Sequence, residues 1–198
     1  FEELFLLQVG LALRRARAVK QAKAHRYQLE GALTQQLRQR LPFALTASQE
    51  RVVAELLEDL RAPHPMRRLL QGDVGCGKTI VIVWLMAVAV QSGLQVALMA
   101  PTELLAEQHA RVVRRFLEPL GVSVGLLSQG VPPLQRRRCA EGVAQGEIAV
   151  VIGTHALIQR GITFQRLALA VIDEQHKFGV VQRAHLAKKG QVPDVLVV

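Results

Sequence analysis

The sequence predicts an α/β protein built on a mostly parallel sheet with helices on both faces, and three observations carry that prediction. Short apolar runs at 67–71, 95–100, 122–126, 149–152, 167–172 and 194–198 alternate with helical stretches near 103–117, 133–144 and 180–189, the order in which parallel strands and their crossover helices follow one another. A glycine-rich turn, Gly72-Asp73-Val74-Gly75-Cys76-Gly77-Lys78-Thr79, leads from the first run into a helix. Asp173 and Glu174 come directly after the run 167–172, at a strand's carboxyl end, where open α/β sheets bind their ligands.

Taken in order, residues 1–40 read as helical. Leu4, Leu7 and Leu11 mark an apolar face, and Arg14, Arg15, Arg17, Lys20, Lys23 and Arg26 form a basic second half. Gly31 separates two helices, and Leu41-Pro42-Phe43 ends the pattern because proline cannot continue the hydrogen-bonding ladder. Residues 1–44 are read as a connector from an upstream domain and 45–198 as the main domain. The start at Phe1 and the apolar end at Val198 are read as cuts from a longer chain. Thr46 is the expected N-cap of a helix ending near Leu60, with Glu50 one residue beyond the capping-box position. Pro63 and Pro65 make a loop. Residues 80–90 favour a strand by their Ile and Val content, but the glycine turn ahead requires a helix, and burial on a sheet accounts for apolar residues on most sides.

Half of the 198 residues are hydrophobic, enough for one substantial core. The net charge is +9, and residues 1–44 hold eight basic against three acidic residues. A surplus of this size points to a polyanionic partner, nucleic acid being the commonest, with an Arg-rich surface as the plain alternative. Aromatic residues make up 4%, too few for a platform on which single-stranded bases stack. Cys76 and Cys139 form no CxxC pair and the six histidines have no metal-ligand spacing. This argues against a disulfide framework and a protein-built metal cage, and for a reducing compartment. The longest apolar run, 80–90, is too short to span a bilayer.

The turn at 72–79 fits G-x-x-x-x-G-K-[ST]. Its glycines let backbone N–H groups turn inward around phosphates, and the helix opening at Lys78 adds the positive end of its dipole. Lys78 is expected to reach the β- and γ-phosphates of ATP and the Thr79 hydroxyl to ligate Mg²⁺. Asp173 is expected to hold Mg²⁺ through its water shell, and Glu174 to orient or deprotonate the attacking water.

Asp173-Glu174-Gln175-His176, together with this loop, resembles the DExH helicases of superfamily 2. The resemblance implies a RecA-like P-loop NTPase fold, with Gln175 and His176 added to the nucleotide site. Leu45-Thr46-Ala47-Ser48-Gln49 is similar to the Q motif of those helicases, which gives Gln49 an adenine-reading role; a side-chain amide can donate and accept on the adenine edge. Residues 101–109 resemble motif Ia and Gly153-Thr154-His155 a second DNA-facing motif, implying backbone contacts from Pro101, Thr102, Thr154 and His155. The strings at 41–46, 65–75 and 173–180 are similar to the RecG family. That family implies a monomeric bacterial, cytoplasmic motor acting on duplex and branched DNA at stalled forks and Holliday junctions. It also implies a wedge domain and a second RecA-like domain in the same chain, with no membrane partner. An arginine finger from a second motor domain is worth about 10³ to 10⁵ in rate, so this piece by itself is expected to bind nucleotide weakly and hydrolyse it negligibly.

Three positions depart from the family pattern: Cys76 where Ser is usual, Lys177 where Arg is usual, and Ser128-Gln129-Gly130 where Thr-Gly-Ser is usual. No DNA contact is assigned to the last. Cys76, beside Lys78 at a helix N-terminus, is expected to be a selective alkylation site that ATP protects. Arg136-Arg137-Arg138 reads as a solvated helix face. Alternative readings are an Mfd-like transcription-repair coupling translocase, which tends to have Glu-Gln at Gln175-His176, a non-catalytic DNA-binding module with a degenerate phosphate loop, and a small-molecule kinase.

Overall fold

A computed structural model describes residues 4–10, 12, 22–73, 75–159, 161–174, 189 and 192–198. Val74, Gln175, His176 and Lys177 lie outside the described residues, as does the helix expected over 180–189 apart from Lys189. The elements are α1 (Ala32–Arg40), α2 (Ala47–Arg61), β1 (Arg67–Leu69), α3 (Lys78–Gln91), β2 (Gln95–Met99), α4 (Glu103–Leu117), β3 (Val124–Leu127), α5 (Pro133–Gln145), β4 (Val150–Gly153), β5 (Leu167–Ile172) and β6 (Asp194–Val197), with short 3₁₀ turns at Glu118–Leu120 and His155–Ile158. The strands form one six-stranded sheet in the order β1-β6-β5-β2-β4-β3, and every pairing is parallel. All strands therefore end at one edge, and the loops leaving that edge can build a single site.

The central strands β2, β4 and β5 are buried along their whole length, as parallel strands covered on both faces must be. Their side chains divide by alternation. Val96, Leu98, Val150, Ile152 and Val171 join the core under α1 to α4, whereas Ala97, Met99, Val151, Ala170 and Ile172 join the core under α5 and the His155–Ile158 turn. Helix α3 lies so deep that Ile80 to Ala89 are all buried. Tertiary burial thus overrides the β-propensity of its Ile and Val residues.

The amino-terminal stretch differs from its helical reading. Residues 4–10 are helical, with Leu4, Phe5, Leu6 and Leu7 each more than half exposed. Residues 22–30, however, form an extended strap, not a helix. Lys23, His25, Tyr27 and Leu29 are half-buried, while Ala22, Ala24, Arg26, Gln28 and Glu30 are exposed; this is a period of two, the signature of extended chain. Lys23, His25 and Tyr27 gather on Asp194, the fully buried first residue of β6. Its Oδ2 lies 2.9 Å from His25 Nε2 and 2.8 Å from the Tyr27 hydroxyl. Its Oδ1 accepts from the Met66 N–H and lies 3.4 Å from Lys23 Nζ, which also donates to the Leu60 carbonyl at 2.7 Å. Burial lowers the Lys23 pKa below the usual lysine range, with Asp194 opposing. Burial, reinforced by the Asp194 charge, raises that of the Tyr27 phenol.

Candidate functional site

The phosphate loop leaves β1 and turns into α3 through two glycines held in the left-handed region, Gly75 at φ 83° and Gly77 at φ 85°. Gly77 is the N-cap of α3, and a side chain there would be strained and would run into the Gln49 amide. Lys78 opens the helix. Its ammonium donates to the carbonyls of Gly72 at 2.6 Å and Asp73 at 3.0 Å, so it lies across the loop that the sequence assigns to phosphates. Thr79 is half-buried in the first turn behind it.

Gln49 has a role that sequence reading missed. The Thr46 N–H donates to Gln49 Oε1 at 3.0 Å, and the Gln49 N–H donates to Thr46 Oγ1 at 3.2 Å, closing a capping box at the start of α2. Gln49, one residue before Glu50, is the box residue. Gln49 Nε2 also donates to the Cys76 carbonyl at 3.0 Å. Both ends of the amide are engaged within the protein, tying α2 to the phosphate loop, and an adenine edge would have to replace those bonds. Cys76 itself is exposed, whereas Cys139 is buried and its thiol is pushed up to about 11 by that burial. Of the two thiols, Cys76 is the accessible one.

Asp173 and Glu174 extend from the end of β5. The Asp173 N–H donates to the Met99 carbonyl and the Glu174 N–H to the Val198 carbonyl, both at 2.9 Å, so sheet bonding continues through both carboxylates. Glu174 has φ 48°, a left-handed conformation that a non-glycine residue adopts only where its surroundings enforce it. Asp173 Oδ2 lies 2.7 Å from His109 Nε2, on the second turn of α4.

The other half of the edge collects the residues expected to face DNA. Thr102, after Pro101, caps α4 by accepting the Leu105 N–H at 3.3 Å; its exposed hydroxyl keeps a proton to donate. Glu103 accepts the Gln129 N–H at 2.8 Å, and Gln129 Nε2 lies 3.3 Å from His155 Nε2. The ends of β2, β3 and β4 are thereby joined by a polar chain. Gln129 belongs to the segment to which the sequence assigned no DNA contact, yet it bridges two that were. Thr154 lies deeper than that assignment implies. It is 3% exposed, its N–H is taken by the Leu127 carbonyl, and its hydroxyl, like that of Ser128, is buried with no hydrogen-bond partner among the described residues. The surface-facing group at this strand end is thus His155, not Thr154. Arg137 is exposed and pairs with Glu141 one turn away, as expected of a solvated face.

Residues 46–195 match the DEAD/DEAH box helicase family, and this chain belongs to that family. Within it, the chain is similar to ATP-dependent DNA helicase RecG of Synechocystis, with 47% identity over 99% of this chain and 24% of that protein. It is 49% identical to RecG of Acidithiobacillus ferridurans over 97% of this chain and 28% of that one, so it spans about a quarter of the length of these relatives. Among solved structures it is similar to RecG bound to a three-way DNA junction, with TM-score 0.86 and 39% identity over 99% of this chain and 26% of that one. A hypothetical ATP-dependent RNA helicase from Sulfolobus tokodaii shares the fold at TM-score 0.64 and 15% identity, over 83% of this chain and 48% of that one. The RecA-like sheet expected from the sequence is the one observed.

Proposed function

We propose that this chain is the ATP-binding motor domain of a DNA helicase or translocase that couples ATP hydrolysis to the remodelling of branched DNA. The observation that carries the reading is the shared strand edge. The left-handed glycines and Lys78 leave β1, Asp173 and Glu174 leave β5, and the Thr102 and His155 surface leaves β2 and β4 of the same parallel sheet. Similarity to RecG over nearly the whole chain supports a RecG-like motor over an Mfd-like one.

The residues present fit Mg²⁺ and ATP. Left-handed Gly75 and Gly77 allow the loop to turn tightly into α3, and the N-terminal dipole of α3 favours phosphate. Thr79 and Asp173 are the oxygen donors that would hold the metal, and the metal's chemistry there is to neutralise charge on the phosphates. Lys78 would turn from the loop carbonyls to the phosphate oxygens. Glu174, fixed in its left-handed conformation, would orient the attacking water. Gln175 and His176 would line the same site. Pro101, Thr102 and His155 would meet the DNA backbone, with Thr154 supporting them from below.

Residues 1–44 would connect this motor to an upstream wedge domain, with residues 45–198 as the motor proper. A second RecA-like domain of the same polypeptide would supply the arginine finger. The intact protein would act as a monomer in the bacterial cytoplasm.

The test is ATPase of the intact protein that carries this chain, measured with Mg²⁺ and with or without a model fork. Wild type is expected to hydrolyse ATP in a fork-stimulated manner and K78A to lose that activity. ATPase that K78A leaves untouched would sink the reading.

A further inference from the structure

Helix α4 touches both halves of the edge. Its first turn is capped by Thr102 and holds the Gln129 loop through Glu103. Seven residues beyond Thr102, about 10 Å along the axis, His109 places Nε2 2.7 Å from Asp173 Oδ2, with both side chains only 15% exposed. A carboxylate at a strand end has free rotation about its terminal bond, and a short bond from a neighbour held in a helix removes it. The adjoining face of α4 is anchored in the core by Ala106, Ala110, Val113 and Leu117. Helix α4 is therefore a rigid link between its first turn, where Thr102 and Glu103 lie, and His109.

We propose that His109 is a positioning residue that fixes the Asp173 carboxylate for Mg²⁺ and transmits engagement of DNA at the start of α4 to the site of hydrolysis. The inference rests on the ATPase motor reading given above. With Asp173 ionised, the imidazole carries its proton on Nε2 and donates it. Partners of this kind orient a metal-binding carboxylate, and their loss typically costs about 10- to 100-fold in metal affinity or activity. Sequence spacing gives no hint of the contact, since His109 and Asp173 are 64 residues apart.

The experiment measures Mg²⁺-dependent binding of a fluorescent ATP analogue together with the Mg²⁺ dependence of ATPase, with and without fork DNA, in the intact protein and its H109L, H109Q and H109N variants. Glutamine presents an amide nitrogen near the place of Nε2, whereas asparagine presents one near Nδ1, too short to reach Asp173. H109L and H109N are expected to need about 10- to 100-fold more Mg²⁺ for half-maximal rate and to show a smaller DNA stimulation at saturating Mg²⁺, and H109Q to recover both. An unchanged Mg²⁺ requirement in H109L, or undiminished DNA stimulation, would overturn the proposal. So would an H109Q protein as impaired as H109N, which would mark a packing role. Wild-type protein without Mg²⁺-dependent ATPase would instead fail the underlying motor reading, and K78A separates the two cases.

Discussion

The two halves of the carboxyl edge are held by different means. On the half formed by β1, β6 and β5, backbone geometry dominates: left-handed Gly75 and Gly77, left-handed Glu174, and ladder bonds that continue through Asp173 and Glu174. On the half formed by β2, β4 and β3, side chains do the joining, from Glu103 to the Gln129 amide and from Gln129 to His155. The first arrangement suits a small, highly charged ligand that takes donors from a fixed cradle. The second suits a long polyanion met at several points, where each contact contributes little. The glycines do not follow this division. A Cβ on Gly77 would strike the Gln49 side chain, whereas one on Gly153 would strike the Leu127 backbone where β3 and β4 end.

The largest expected effect comes from removing the buried carboxylate beneath the half formed by β1, β6 and β5. Asp194 serves Lys23, His25, Tyr27 and the Met66 N–H at the opposite edge. D194A leaves a buried ammonium without its carboxylate and is expected to cost about 3–5 kcal/mol of stability, read by denaturant unfolding. A loss below about 1 kcal/mol would mean that the strap adds little to the fold. Next in size is G77A, which forces a left-handed alanine at about 1–2 kcal/mol and displaces Gln49. Nucleotide affinity should fall about 5- to 30-fold, with a smaller effect on DNA affinity. Equal losses of both would erase the distinction between the halves. The smallest effect belongs to Glu103. E103A should bind DNA about fivefold more weakly than E103Q, the equivalent of about 1 kcal/mol for one hydrogen bond, because glutamine keeps an acceptor for the Gln129 N–H while removing the charge. Fluorescence anisotropy with labelled duplex reads the difference, and identical affinities would show that the bond does not organise the surface.

Strand and helix positions are legible in the sequence because they depend on local pattern. Helix α4 begins and ends where its periodicity places it, and β5 coincides with its apolar run. Helix α3 is legible for a different reason: the glycine turn constrains the residues after it more strongly than the propensity of Ile and Val does. The amino-terminal strap reads as helix in the sequence although its alternation of Lys23, His25, Tyr27 and Leu29 is visible there. The basic residues around it obscure a period of two that only burial makes clear. At the site, the sequence singles out Gln49 for nucleotide and its Thr46-x-x-Gln49 spacing fits a capping box, but it gives no sign of the bond to Cys76.

The sequence by itself determined that a phosphate loop would form and that a carboxylate pair would follow a buried strand. Both are encoded within a few consecutive residues, where glycine freedom and apolar runs restrict the backbone directly. Only the tertiary structure decided which distant segments meet: His109 with Asp173, Gln129 with Glu103 and His155, the strap with Asp194. Those contacts follow from the strand order β1-β6-β5-β2-β4-β3, which brings strands far apart in the chain side by side, and no local pattern specifies that order.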